Sequence, residues 1–326
     1  MRAVLISGFG GAEVMRIGEV SRPVPGPGQV LIEVVATSVN RADIVQREGN
    51  YPPPEGDSEI LGLEVAGSVK ALGAGVVGYS VGDRVMTLVG GGGYAEYAVA
   101  HADHLIPIPS SLSFEEAACV CETYITAYLN IFMLGGLEDG EILLLHGGGG
   151  GVNSAAIQLC KALAAKSKVI VTASPGKAGR VAALGADLVI DYKSQDFAEE
   201  IKGYTGNKGV ALILDHIGAA YLAANMKSLG VGGRLVIIGL MGGIKAELNL
   251  AVMMLKRQRI IGSVLRSRPV SEKTQIVSAF KEVVMPLFER RELVPLIHRT
   301  YRLEDVASAH REMEASAHFG KIVLLL

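Results

Sequence analysis

The chain has 326 residues, 49% of them hydrophobic, and 31 basic against 33 acidic side chains give a formal net charge of −2. That near balance, without a basic stripe, offers no footing for nucleic-acid binding, and no apolar run reaches the roughly 18 residues of a membrane span. Cys119, Cys121 and Cys160 fit neither a four-ligand zinc spacing nor a disulfide framework and point to a reducing compartment. The opening stretch MRAVLISGFGG is too short an apolar run for a signal peptide. The expectation is therefore a cytoplasmic protein of about two domains at roughly 100–200 residues each.

In chain order, short apolar or alternating runs at 3–6, 30–36, 64–72 and 84–88 predict strands, punctuated by Pro, Gly and Asp as in PVPGPG. Ser113 with Glu116 three residues on forms a helix-start box ahead of an apolar run. From residue 140 the pattern alternates, with strands predicted at 142–145, 168–172, 188–191, 210–215, 234–239 and 260–264. Helices fall between them at 177–184, 197–204 and 219–229. Apolar strands with crossover helices define a parallel sheet, so the second part is a doubly wound Rossmann domain in an α/β protein. The tail reads as a long helix from 271, a strand at 296–301, a helix at 304–316 and a strand at 321–326 that returns to the first domain. The boundaries are set at 1–122 with 271–326 for the β-rich domain and 123–270 for the Rossmann domain. The apolar segment 248–255 fits either an interface or burial in the Rossmann core.

The densest signal is the run EILLLHGGGGGVN, where a strand feeds five consecutive glycines and then a helix. Glycines there admit a close ligand, and the N–H groups of a helix start face it. Gly148, Gly150, Gly151, Val152 and Asn153 are the residues placed to hold a dinucleotide diphosphate. After the next strand an acidic residue would bind the ribose hydroxyls of NAD. The sequence has Ser174 and Lys177 instead, with Arg180 as a further cation and Tyr192 beyond the third strand. The missing carboxylate and the present base favour NADPH; the alternative is that Lys177 is an ordinary solvated helix lysine. Two loops at strand ends, with Ile217 in one and Gly239, Leu240, Met241 and Gly242 in the other, are placed to meet the nicotinamide end, or are ordinary turns. None of the seven histidines sits in a zinc pattern, and His146 reads as packed or hydrogen-bonded, not catalytic.

The stretches SVNRADIVQREGNYPPP, ILGLEVAG, ETYITAY, LILDHIG, GLMGG, SVLRSR and AHREMEASAHFGKIVL resemble the zinc-free, zeta-crystallin-like quinone oxidoreductase branch of the medium-chain dehydrogenase/reductase superfamily. The resemblance spans the whole chain and is closest to the tumour-suppressor-inducible NADPH quinone oxidoreductase subgroup. It implies a GroES-like β-rich catalytic domain plus the Rossmann domain, NADPH as cofactor, and no metal. It further implies that Asn40 lies by the nicotinamide ribose or substrate carbonyl, Tyr51 beside the nicotinamide, and Thr126 at the domain junction. By the same resemblance Val264, Leu265 and Arg266 border the nicotinamide crevice, and Gly320 and Lys321 close it. Read without the resemblance, Asn40 caps a helix and Tyr51 packs against a proline turn.

Two departures stand out. Asn153 replaces the last glycine of the expected G-V-G, and Cys121 stands where proline is frequent. The resemblance implies hydride transfer from NADPH to a small-molecule quinone, with reduction of an enone or unsaturated thioester as the alternative. A reading of a different class is an NADPH-binding structural or redox-sensing protein. The resemblance also implies a homodimer or homotetramer.

Overall fold

The computed structural model describes all residues, 1–326. The chain divides into two units: Met1–Ile125 with Leu265–Leu326, and Thr126–Val264.

The first unit opens with β1 (Arg2–Ile6) and β2 (Met15–Glu19), an antiparallel ribbon. β3 (Gln29–Val39) follows, then α1 (Arg41–Arg47), β4 (Glu64–Leu72), β5 (Arg84–Leu88), β6 (Tyr97–His101) and β7 (Ile106–Pro107). β3 is the hub, pairing antiparallel with both β4 and β6. It has apolar packing on both faces, which is why QVLIEVVATSV does not alternate cleanly. Val30, Ile32 and Val34 pack in one cluster with Val65, Val69 and Leu105, while Val39 joins a second with Ile44, Leu61 and Tyr94. α1 starts where it does because the Asp43 carboxylate takes the Asn40 N–H at 2.7 Å.

Ser113 and Glu116 do form the reciprocal box, at 3.2 and 3.0 Å. It opens only the short α2 (Phe114–Ala117), and a separate α3 (Cys121–Tyr128) follows, whereas the pattern predicted one helix. The start of α3 is fixed from outside, because the Glu122 N–H is taken by the Glu64 carboxylate at 2.8 Å.

The second unit runs β8 (Ile142–His146), α4 (Gly151–Leu163), β9 (Lys168–Ala173), α5 (Pro175–Ala183), β10 (Leu188–Asp191), α6 (Phe197–Tyr204), β11 (Val210–Asp215), α7 (Leu222–Ser228), β12 (Leu229–Ile237), α8 (Leu250–Leu255) and β13 (Arg259–Gly262). The six strands are parallel in the order β10-β9-β8-β11-β12-β13, which is the doubly wound dinucleotide-binding arrangement. Phe197 and Ile201 of α6 and Met226 of α7 bury against Leu144, Ile170, Ile213 and Leu235 of the sheet. β12 begins five residues before its predicted start, because its glycine-rich opening LGVGG carries no apolar alternation. In α8, Leu250, Met254 and Leu255 are exposed, while Met253 and the preceding Leu248 pack against the core.

The tail, α9 (Val270–Glu289), β14 (Ile297–Arg302), α10 (Val306–Glu314) and β15 (Lys321–Leu325), belongs to the first unit. β15 inserts between β14 and β3.

Candidate cofactor-binding and active site

In the second unit the glycine turn is built by close packing. A Cβ on Gly148 would lie 2.3 Å from Val171 Cγ1, and one on Gly149 would lie 2.4 Å from Lys177 Cδ. The turn is held to β9 by the N–H groups of Gly147 and Gly148, both donating to the Thr172 carbonyl at 2.9 Å. Gly150 is the N-cap of α4, and no side chain caps the helix, so its start is open to an anion. Val152 stands in that first turn. Asn153 is buried and turned away from it: its amide donates to the carbonyls of His146 and of Gly147, the latter at 3.0 Å. The side chain that breaks the expected G-V-G therefore braces the turn from behind, and its buried Oδ1 has no partner.

Lys177 lays its aliphatic stem across Gly149. Ser174 is the N-cap of α5, and its hydroxyl is not used in capping. The glycine turn and the Lys177 side chain thus meet beyond the carboxyl ends of β8 and β9, with Ser174 at the start of α5. Tyr192 follows β10 and is partly exposed. The two later loops are joined to each other: the Met241 N–H donates to the His216 carbonyl at 3.1 Å and the Gly242 N–H to the Ile217 carbonyl at 2.6 Å. Leu240 and Met241 are exposed, and Gly239 packs on His216. Both oxygens of the buried Asp215 carboxylate hold the first loop, accepting from Ile217 N at 2.7 Å and Gly218 N at 3.1 Å. Val264 ends this unit, exposed, and Thr126 begins it, its carbonyl taken by the Asn130 amide at 2.8 Å.

In the first unit Asn40 and Lys321 lie in one buried cluster centred on Glu64. Glu64 Oε1 accepts from Lys321 Nζ at 3.0 Å, Ser38 Oγ at 2.6 Å and Asn40 Nδ2 at 3.1 Å. Lys321 Nζ also donates to Asn40 Oδ1 at 2.5 Å. Next to it Asp43 accepts from the Tyr94 hydroxyl at 3.0 Å, that hydroxyl meets His310 Nε2 at 3.1 Å, and His310 Nδ1 meets Arg47 at 3.2 Å. Burial pushes the Asp43 carboxyl up to about 6 and the His310 imidazole down to about 3, the latter helped by Arg47. Gly320, with φ +90°, packs on the Leu296 carbonyl just before Lys321.

Tyr51 and Arg266 form a second group. The Arg266 guanidinium donates to the Gly90 carbonyl at 2.8 Å, to Gln46 Oε1 at 2.8 Å and to the Tyr51 carbonyl at 3.3 Å, with its carbon 5.1 Å from the Tyr51 ring centre. Burial, with a smaller push from Glu122, raises the Tyr51 phenol, which therefore keeps its proton. Arg266 and the neighbouring Leu265 line a cavity of about 110 Å³ with Glu122, Asp57, His104 and Lys273. Burial and the nearby Glu64 push the Glu122 carboxyl up to about 8. No group of three or more His, Cys, Asp or Glu side chains is arranged to hold a metal ion, and no helix is long and apolar enough to cross a membrane.

Sequence reasoning passed over Glu64 as a functional anchor; it read His146 as packed or hydrogen-bonded, and the ring is both. The only signal for Glu64 was an acidic residue opening an otherwise apolar strand.

A six-stranded Rossmann sheet with its glycine turn, together with a separate β unit, defines a dehydrogenase/reductase of the medium-chain type. Residues 26–110 match the family described as "Alcohol dehydrogenase GroES-like domain" and residues 184–324 that described as "Zinc-binding dehydrogenase". The chain is 36% identical to the quinone oxidoreductase of Lama guanicoe over all of its own length and 98% of that protein's. It superposes on Escherichia coli quinone oxidoreductase complexed with NADPH with a TM-score of 0.91 at 27% identity, covering both chains fully. The apo JamJ enoyl reductase gives a TM-score of 0.89 at 26% identity, over 99% of this chain and 98% of that one. The chain belongs to the quinone oxidoreductase family of the medium-chain dehydrogenase/reductase superfamily.

Proposed function

We propose that this protein is an NADPH-dependent quinone oxidoreductase that works without zinc. The observation that carries the reading is the stem of Lys177 lying across Gly149, at a strand end that has no carboxylate. The residues fit the cofactor. Positions 148 and 149 admit no side chain and α4 starts without a side-chain cap; Ser174 and Lys177 are the residues assigned to grip an adenosine ribose phosphate, a reading supported by the stem of Lys177 against Gly149. Bound NADPH supplies the hydride. The protein's part is to orient the dinucleotide through 148–153 and the loops holding Ile217 and Gly239 to Gly242. Asn40, Lys321, Tyr51 and Arg266 shape the acceptor side. Reduction of a quinone to a hydroquinone takes up a proton as well, which comes from solvent or through the Tyr51 hydroxyl.

Titration of purified protein with NADPH and NADH, repeated with Lys177→Ala, tests the cofactor. A charged hydrogen bond of about 1.5–3 kcal/mol corresponds to a loss of about 10–150-fold for NADPH with little change for NADH; equal losses defeat the assignment. Turnover of a simple quinone against a simple enone tests the acceptor. The likeness to an enoyl reductase favours the enone as the second reading. Tight NADPH binding with no turnover on either acceptor would instead support a structural or redox-sensing role. Self-association as a homodimer or homotetramer, through the exposed face of α8 beside the unpaired edge of β13, is part of the same reading and is checked by light scattering.

A further inference from the structure

His146 ends β8 fully buried, edge-on to Phe197 and Tyr221 with ring centres 4.9 and 4.8 Å away. Its two nitrogens are both engaged: Nδ1 with Thr172 Oγ1 at 3.1 Å and Nε2 with Asn225 Oδ1 at 2.7 Å. The direction of every bond follows. Asn225 spends its N–H on Asp215 Oδ2 at 3.2 Å, so its Oδ1 accepts and His146 Nε2 carries the hydrogen. Nδ1 then accepts from the Thr172 hydroxyl, whose oxygen shares the Gly147 N–H, at 3.1 Å, with the Thr172 carbonyl at 2.9 Å. At the far end Asp215 holds the amides of Ile217 and Gly218. Burial pushes the imidazole down to about 3, so it stays neutral, as this pattern requires. Gly147 also lies close to His216 of the Ile217 loop, since a Cβ on Gly147 would come within 2.8 Å of His216 Nε2.

We propose that His146 is a positioning residue of the cofactor site, locking the glycine turn and the Ile217 loop at one spacing through a directed chain from Gly147 to Asp215. The proposal rests on the cofactor reading above. Thr172 and Asn225 do not bond to each other; the ring joins them. Removing either link should raise the NADPH Kd about tenfold in Thr172→Val and in Asn225→Leu. The double variant should also lose about tenfold, not a hundredfold, because a broken chain cannot be broken twice. Thr172→Ser keeps the hydroxyl and should bind as wild type. A merely structural role would lower the melting temperature while leaving Kd unchanged well below it. Unchanged Kd in folded Thr172→Val, or additive losses in the double variant, overturns the proposal.

Amide hydrogen exchange gives a readout independent of the nucleotide. Thr172→Val should speed exchange at Gly218, on the other side of the ring, and an effect confined to Gly147 overturns the coupling. If wild type binds no NADPH, the functional reading fails, and this exchange experiment still decides the relay.

Discussion

The Glu64–Lys321 pair offers the sharpest energetic test. Lys321 Nζ sits 3.0 Å from Glu64 Oε1, with both side chains at most 5% exposed. Ser38, Asn40 and the Glu122 amide also donate to this carboxylate. Lys321→Met leaves a buried anion with neutral donors only. Breaking one side of a buried pair costs about 3–5 kcal/mol. At roughly 2–4 °C per kcal/mol for a unit of this size, the melting temperature should fall by about 6–20 °C. Adding Glu64→Gln should recover part of the loss, because the orphaned charge is then removed. Calorimetry of wild type, both single variants and the double variant measures the effect. Added salt should leave the difference intact, unlike that for the exposed Lys70–Glu33 pair at 2.9 Å. A Lys321→Met protein melting within about 2 °C of wild type would refute the reasoning, since a desolvated pair cannot be so cheaply broken.

Three further outcomes are expected. Gly148→Ala drives a methyl into Val171 and should cost about 1–3 kcal/mol of stability and weaken NADPH binding in a fluorescence titration; unchanged affinity counts against the close-approach argument. Tyr51→Phe should leave NADPH affinity intact and lower quinone kcat, and equal turnover would remove the hydroxyl from the chemistry. Burial pushes the Asp187 carboxyl up, but Lys161 at 2.6 Å, Val169 N at 2.9 Å and Lys168 at 3.0 Å outweigh it and hold the group at about 2. An ordinary Asp titrates near about 3.9, so this depressed group stabilises the fold above about pH 4 and loses that effect as pH falls toward 2. Asp187→Asn should therefore melt lower than wild type at pH 7 and alike at pH 2; a difference that persists at pH 2 rejects the linkage.

What could be read from the sequence was what is local. The glycine run announced itself because a strand precedes it and a helix follows, and Ser174 and Lys177 lie within one helical turn of each other. The network around His146 stayed hidden because its partners, Thr172 and Asn225, are 26 and 79 residues away. Glu64 was hidden for the same reason. The segment 248–255 was ambiguous because its apolar residues divide, with Leu248 and Met253 facing in and Leu250, Met254 and Leu255 facing out. Composition cannot separate those faces over so short a stretch.

The return of the tail to the first unit bears on synthesis. Glu64 leaves the ribosome 257 residues before the lysine that neutralises it. Until then its strand carries an uncompensated negative charge that resists dehydration. The Rossmann unit, contiguous from Thr126 to Val264, meets no such delay and can be complete first. The β-rich unit is complete only once Lys321 and β15, which lies between β14 and β3, have been made.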